Sequence, residues 1–80
     1  MTSSVKFPNP VDQARRSLLA ESIIELSHLA TSHLNSCAEG AWRGCMITAR
    51  VHALNTRSVM IELMRATREA SELSGGQDGQ

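Results

Sequence analysis

Apolar residues recur along most of this 80-residue chain at the spacing of an amphipathic α-helix. In the first half they follow alternating steps of four and three residues, which places them on one side of a helix. This line consists of Leu19, Ile23, Leu26, Ala30, His33 and Cys37, and it is widened by Leu29 and Leu34. Polar residues, among them Glu21 and Glu25, occupy the opposite side. The pattern predicts a long first helix with a heptad-like apolar seam.

The second half repeats the helical pattern with a wider apolar surface. Ala49, Thr56, Leu63 and Ala70 recur every seven residues, with Val59 on one flank and Met46, Ala53 and Met60 on the other. A second apolar line, Ile47, Val51, Leu54 and Ile61, extends partly around the same helix. A partner helix covers one stripe, so this second helix carries more apolar surface than the first helix can cover.

Proline and glycine mark where the helices begin and end. Asn9 can cap the first helix, and Pro10 suits its first position because the missing N–H is not needed there. Gly40 suits the position just after a helix, where a positive φ costs glycine little. We therefore predict helices over about residues 10–38 and 42–73, the second beginning at Trp42. A reversal at Gly40 would bring Cys37 and Cys45 to the same level.

These elements predict an all-α fold of two long antiparallel helices, a helical hairpin. The hairpin domain covers residues 9–73, between a flexible arm at 1–8 and a disordered tail at 74–80. Residues 55–58, Asn-Thr-Arg-Ser, are mostly weak helix formers. We expect the second helix to continue through them, and the alternative is a break that creates a third helix.

The excess apolar surface predicts association with another chain. Ordering the chain on folding costs about 1.5 kcal/mol of conformational free energy per residue, and burying apolar surface contributes about 25 cal/mol per Å². The free energy of unfolding of a lone two-helix unit is therefore close to zero. We expect a homodimer that forms a four-helix bundle. Its core and dimer seam would consist of Leu19, Ile23, Leu26, Ala30, Ala49, Val59 and Leu63. The alternatives are a monomer whose arm, through Phe7, and tail fold back over the second stripe, and a complex with a different protein.

Composition narrows the possible classes of function. Hydrophobic residues make up 41% and charged residues 20% of the chain, and Lys+Arg and Asp+Glu balance at 8 each. This composition is typical of one small folded domain, and a chain without net positive charge is not expected to bind nucleic acid through electrostatic attraction alone. No apolar run approaches the about 20 residues of a membrane helix, and no apolar leader is visible at the N-terminus. We therefore expect a cytoplasmic protein without a membrane span.

The reactive side chains form no enzyme pattern. The sequence lacks a glycine-rich phosphate loop and a Ser-His-Asp order, so we expect no catalytic residue, no cofactor and no small-molecule substrate. The spacing of His33, Cys37, Cys45 and His52 fits no common zinc pattern, so we expect no metal. Free core thiols are the expected state of the two cysteines, and a disulfide and a shared metal are the alternatives.

Candidate binding residues lie along the second helix. Arg43, Arg50 and Arg57 recur every seven residues, and the last two have no acidic residue three or four positions away. Trp and Arg are enriched at binding hot spots. We assign a protein-binding surface to Trp42, Arg43, Arg50, Leu54, Arg57 and Ile61. In the alternative interpretation, Glu21 and Glu25 neutralise Arg57 across the hairpin and Trp42 plugs the end of the bundle.

The two amphipathic helices over residues 10–73 are joined by the turn Glu39-Gly40-Ala41-Trp42-Arg43-Gly44. This architecture resembles the small helical antiactivators of bacterial quorum sensing, of the TraM and QslA type. The resemblance implies binding to a LuxR-type transcription activator, and it carries over no individual residue. The sequence as a whole leaves three hypotheses for the function: a regulatory protein that binds a larger protein, a helix-turn-helix-like DNA-binding regulator, and a purely structural assembly module.

Overall fold

A computed structural model describes residues 10–73 of the chain. Two α-helices, α1 (Pro10–Trp42) and α2 (Met46–Leu73), pack against each other along their length, and residues 10–73 contain no strand. The prediction of an all-α helical hairpin is therefore confirmed. The predicted arm (1–8), the predicted tail (74–80) and the predicted cap at Asn9 lie outside the described residues.

The turn between the helices lies later in the chain than expected. Helix α1 continues through Gly40 to Trp42, and α2 begins at Met46, so the predicted boundaries at 38 and 42 are wrong. The residue with positive φ is Gly44, at +80°. Its N–H donates to the carbonyl of Ala41 (3.0 Å), and the Cys45 N–H donates to the carbonyl of Gly40 (2.7 Å). These two bonds form a Schellman motif, which places Gly44 just after the helix end.

The later turn shifts the pairing of the two helices by about one helical turn. Arg15 forms an ion pair with Glu69, and His33 faces His52. No disulfide joins Cys37 and Cys45, because both thiols are free, as the sequence predicted. Cys37 is half-buried in the interface and Cys45 is exposed in the turn.

The core between the helices is narrow and is made of small side chains. Among the described residues only Ala30, Ala49 and Val59 are buried apolar residues, and none of the larger side chains is fully buried. The remaining residues assigned to the seam are half-buried: Leu19, Ile23, Leu26 and Leu63. A hairpin with this little enclosed apolar volume is marginal in stability on its own.

Helix α2 is continuous through residues 55–58. The Thr56 hydroxyl donates to the carbonyl of His52 (2.8 Å), so this weak helix former is satisfied within its own helix. A helix-turn-helix motif would need a turn at these residues, and none is formed. Neither α1 nor α2 is long and apolar enough to span a membrane.

Candidate protein-interaction surface

The side of α2 that faces away from α1 carries a continuous apolar line. Ile47, Leu54 and Ile61 are spaced by seven residues, which places them on one line opposite the buried Ala49 and Val59. Ile47 is 80% exposed and Ile61 is 51% exposed, and Val51 and Leu54 between them are also exposed. We call this line the outer line. It is the second apolar stripe that the sequence predicted, and α1 does not cover it.

Arg50 and Arg57 lie beside the outer line, on the neighbouring strip of the α2 surface. Both are exposed, and neither has a carboxylate within 4 Å among residues 10–73. The expected ion pair of Arg57 with Glu21 or Glu25 is therefore not formed in this part of the chain. The surface combines exposed apolar side chains with two positive charges that the hairpin does not neutralise.

The tip of the hairpin carries an exposed aromatic side chain. Trp42 is the last residue of α1, not the first of α2, and it is 87% exposed. It therefore does not plug the end of the two-helix unit. The neighbouring Arg43 forms an ion pair with Glu39 (3.0 Å), so its charge is partly balanced, unlike those of Arg50 and Arg57.

Cys45 caps the N-terminus of α2. Its Sγ lies 2.9 Å from the Thr48 hydroxyl, three residues into the helix. This hydrogen bond, and a second one from the Thr48 backbone N–H, lower the pKa of the Cys45 thiol because they favour the thiolate. This role of Cys45 was not predicted, because the predicted second helix began at residue 42 and so contained Cys45. The preceding Gly44 was the signal that could have identified the start of α2.

His33 and His52 form a direct contact across the hairpin. Their Nδ1 atoms are 3.0 Å apart and their ring centroids are 5.2 Å apart. When two ring nitrogens are 3.0 Å apart, the ring centroids are farthest from each other if both nitrogens lie on the line that joins the two rings. The observed centroid distance is close to that limit, so the two Nδ1 atoms point at each other. One ring therefore donates its N–H and the other accepts it. No group of three metal-ligating side chains occurs among residues 10–73.

The chain was compared with protein-family models, with curated proteins and with solved structures, and none of them matches it.

Proposed function

We propose that this chain is a non-enzymatic regulatory protein that binds a larger protein through the outer line of α2, and that it does so as a homodimer. The observation that supports this function is the combination of exposed Ile47, Leu54 and Ile61 with Arg50 and Arg57, which have no ion-pair partner among residues 10–73. A contiguous exposed apolar line is typical of an interaction site, whereas single exposed apolar residues are common on any protein surface.

The chemistry of the surface indicates the kind of partner. An amphipathic helix can place its apolar side on the outer line, with anchor residues at helical spacing. Carboxylates on that partner would pair with Arg50 and Arg57, and the two guanidinium groups would steer its approach. Trp42 and Arg43 at the tip supply side-chain types that are enriched at hot spots.

The two-helix architecture also supports the class of function that the resemblance to quorum-sensing antiactivators implies, in which a small helical protein occupies a surface of a transcription activator. The free thiols of Cys37 and Cys45 suit a reducing compartment, so we place this function in the cytoplasm.

The test is capture of a partner from native extract by the immobilised full chain, followed by affinity measurement with the purified partner. We expect Arg50→Glu and Arg57→Glu each to lower the affinity by about tenfold or more, because each would place a carboxylate opposite the partner's acidic residues. Arg16→Glu is the control, since Arg16 is an exposed arginine of α1, whereas the outer line belongs to α2. Unchanged affinity of both variants would remove the outer line from the proposal.

The structural assembly module predicts a different result from the same experiment. Such a protein would form a stable dimer, and no partner would be lost on charge reversal at Arg50 or Arg57. Recovery of one specific protein by the wild type and by Arg16→Glu, but not by Arg57→Glu, would exclude that alternative.

A further inference from the structure

The hairpin has two broad sides, and they differ in charge. On one side, which we call the polar side, Arg15 of α1 is paired with Glu69 of α2. Two shallow grooves run between the helices on this side. One is lined by Leu19, Ser22, Leu26, Glu62, Arg65, Ala66 and Glu69, and the other by Ser36, Glu39, Gly40, Arg43, Cys45, Thr48 and His52. Acidic and basic residues from both helices therefore cover the polar side.

The opposite side, which we call the flat side, has no charged residue on α1 from Ser17 to Ala41. Helix periodicity places on it two lines of α1 residues spaced by seven: Ser17, Ile24, Thr31 and Ala38, and Ala20, Ser27, Leu34 and Ala41. The α2 residues on this side are Met46, Ala53, Met60, Met64 and Thr67, with Arg50, Arg57 and Arg68 at the outer edge. Ile24, Leu34, Met46, Met60 and Met64 are all exposed.

The hydroxyl groups on the flat side contribute little polarity. Ser27 donates to the carbonyl of Ile23 (2.7 Å), Thr31 to that of Ser27 (2.9 Å), and Thr67 to that of Leu63 (2.9 Å). Because each hydroxyl donates its hydrogen within its own helix, these side chains present mainly their carbon atoms to a partner. The flat side can therefore be covered without leaving these three donors unpaired.

We infer that a second copy of this chain binds the flat side, and that two hairpins stack through it into a four-helix bundle. The flat side extends over about 30 Å of both helices, and two packed helices are about 20 Å wide. It offers about 600 Å² per copy, or about 1,200 Å² for two, which reaches the size range of stable interfaces.

The shape of the flat side favours a two-helix partner over a single helix. A single helix would fill only the furrow between α1 and α2, and it would leave Ile24 and Met64 on the two outer flanks in water. A second hairpin presents the same surface without carboxylates, so no carboxylate is buried and the arginines stay at the solvent-exposed edge. The outer line of α2 then remains open for another protein. The inference rests on the homodimer in the proposed function, and it adds which surface forms the dimer.

Leu34 and Leu29 provide a matched pair of variants. They lie five residues apart in α1, and they are 54% and 45% exposed. Leu34 lies on the flat side and Leu29 on the polar side. By sedimentation equilibrium of the full chain at about 100 µM, we expect a dimer for the wild type and for Leu29→Glu. We expect Leu34→Glu to weaken dimerisation by about 30-fold or more, since a glutamate would be buried against the partner.

A second measurement covers the case in which Leu34→Glu fails to fold. In a Cys37→Ser/Cys45→Ser background, Ser27→Cys places one thiol on the flat side and Ser22→Cys places one on the polar side. A short bismaleimide should join two Ser27→Cys chains much faster than two Ser22→Cys chains. Equal rates, or faster joining at Ser22→Cys, would overturn the inference.

The outcomes separate this inference from the partner-binding proposal. A monomeric wild type at about 100 µM would refute the dimer surface, whether or not a larger protein is captured. Dissociation by Leu29→Glu and not by Leu34→Glu would also refute it. A monomeric Leu34→Glu that still captures the partner would support the flat side as the dimer surface and leave the outer line as the separate binding site. Loss of partner capture by Arg57→Glu in a protein that is still dimeric bears on the outer line alone.

Discussion

At Gly40 the backbone of α1 lies close to the backbone at the start of α2, and replacing Gly40 with alanine tests how tightly the hairpin is packed. A Cβ at this position would lie 3.0 Å from the Ala49 nitrogen, 3.3 Å from the Ala49 Cα and 3.3 Å from the Cys45 carbonyl oxygen. All three are backbone atoms at the start of α2, so no side-chain rotation can relieve the contact. The helices themselves would have to separate.

Two opposing effects determine the result of Gly40→Ala. Gly40 lies within α1 at an ordinary negative φ, so alanine gains about 0.8–1.0 kcal/mol in helix propensity. Overpacking a tight contact costs about 1–3 kcal/mol. Displacing α2 also strains the bond from the Cys45 N–H to the Gly40 carbonyl, which is 2.7 Å long. We therefore expect a net loss of about 1 kcal/mol for Gly40→Ala and a larger loss for Gly40→Val.

The assay is urea unfolding followed by far-UV circular dichroism at one fixed protein concentration, since dimerisation would make stability depend on concentration. Ser32→Ala and Ser32→Gly provide the control, because Ser32 is exposed on the same helix and their difference measures propensity alone. If Gly40→Ala were more stable than the wild type by that same difference, the helices would have room at Gly40 and the packing argument would be refuted.

Three further predictions concern the turn, the helix cap and the histidine pair. Gly44→Ala should lower the free energy of unfolding by about 1–2 kcal/mol, because Gly44 has a φ of +80°, which alanine disfavours. No atom lies within 4 Å of the new Cβ, so the loss would come from the backbone alone, and an unchanged stability would contradict it. Thr48→Val removes the hydroxyl that lowers the pKa of Cys45, so the pH midpoint of its reaction with iodoacetamide should rise; an unmoved midpoint would argue against that bond. His33→Leu and His52→Leu should each lose about 1–2 kcal/mol at pH 8, because each leaves a half-buried nitrogen unpaired. The double variant should lose less than the two single losses combined, and additive losses would indicate that the two rings do not interact.

The flat side and the outer line were not equally visible in the sequence. The outer line is a repeat of Ile47, Leu54 and Ile61 at seven-residue spacing, and such a repeat is readable directly. The flat side is divided between two helices, and neither half is strongly apolar. From the sequence, Ser27 and Thr31 are polar residues. The structure shows that their hydroxyls donate to backbone carbonyls of α1, so they add little polarity to the surface.

Local periodicity was enough to predict the two helices and the line along which they meet. Each apolar residue of the seam, from Leu19 to Leu63, is placed on one side of a helix by the 3.6-residue repeat alone, whatever the partner. The start at Pro10 and the continuity of α2 through Thr56 also depend on neighbours in sequence.

Only the tertiary structure decided which glycine turns the chain. Gly40 and Gly44 are both able to follow a helix end, but Gly40 is needed inside α1 because any side chain there would meet the backbone of Ala49. That packing requirement leaves the positive φ to Gly44 and moves the turn by about one helical turn. The shift brings His33 to His52 and leaves Cys45 at the cap of α2. Helix formation depends on nearest neighbours, whereas the pairing of two helices depends on the closest approach that their side chains permit.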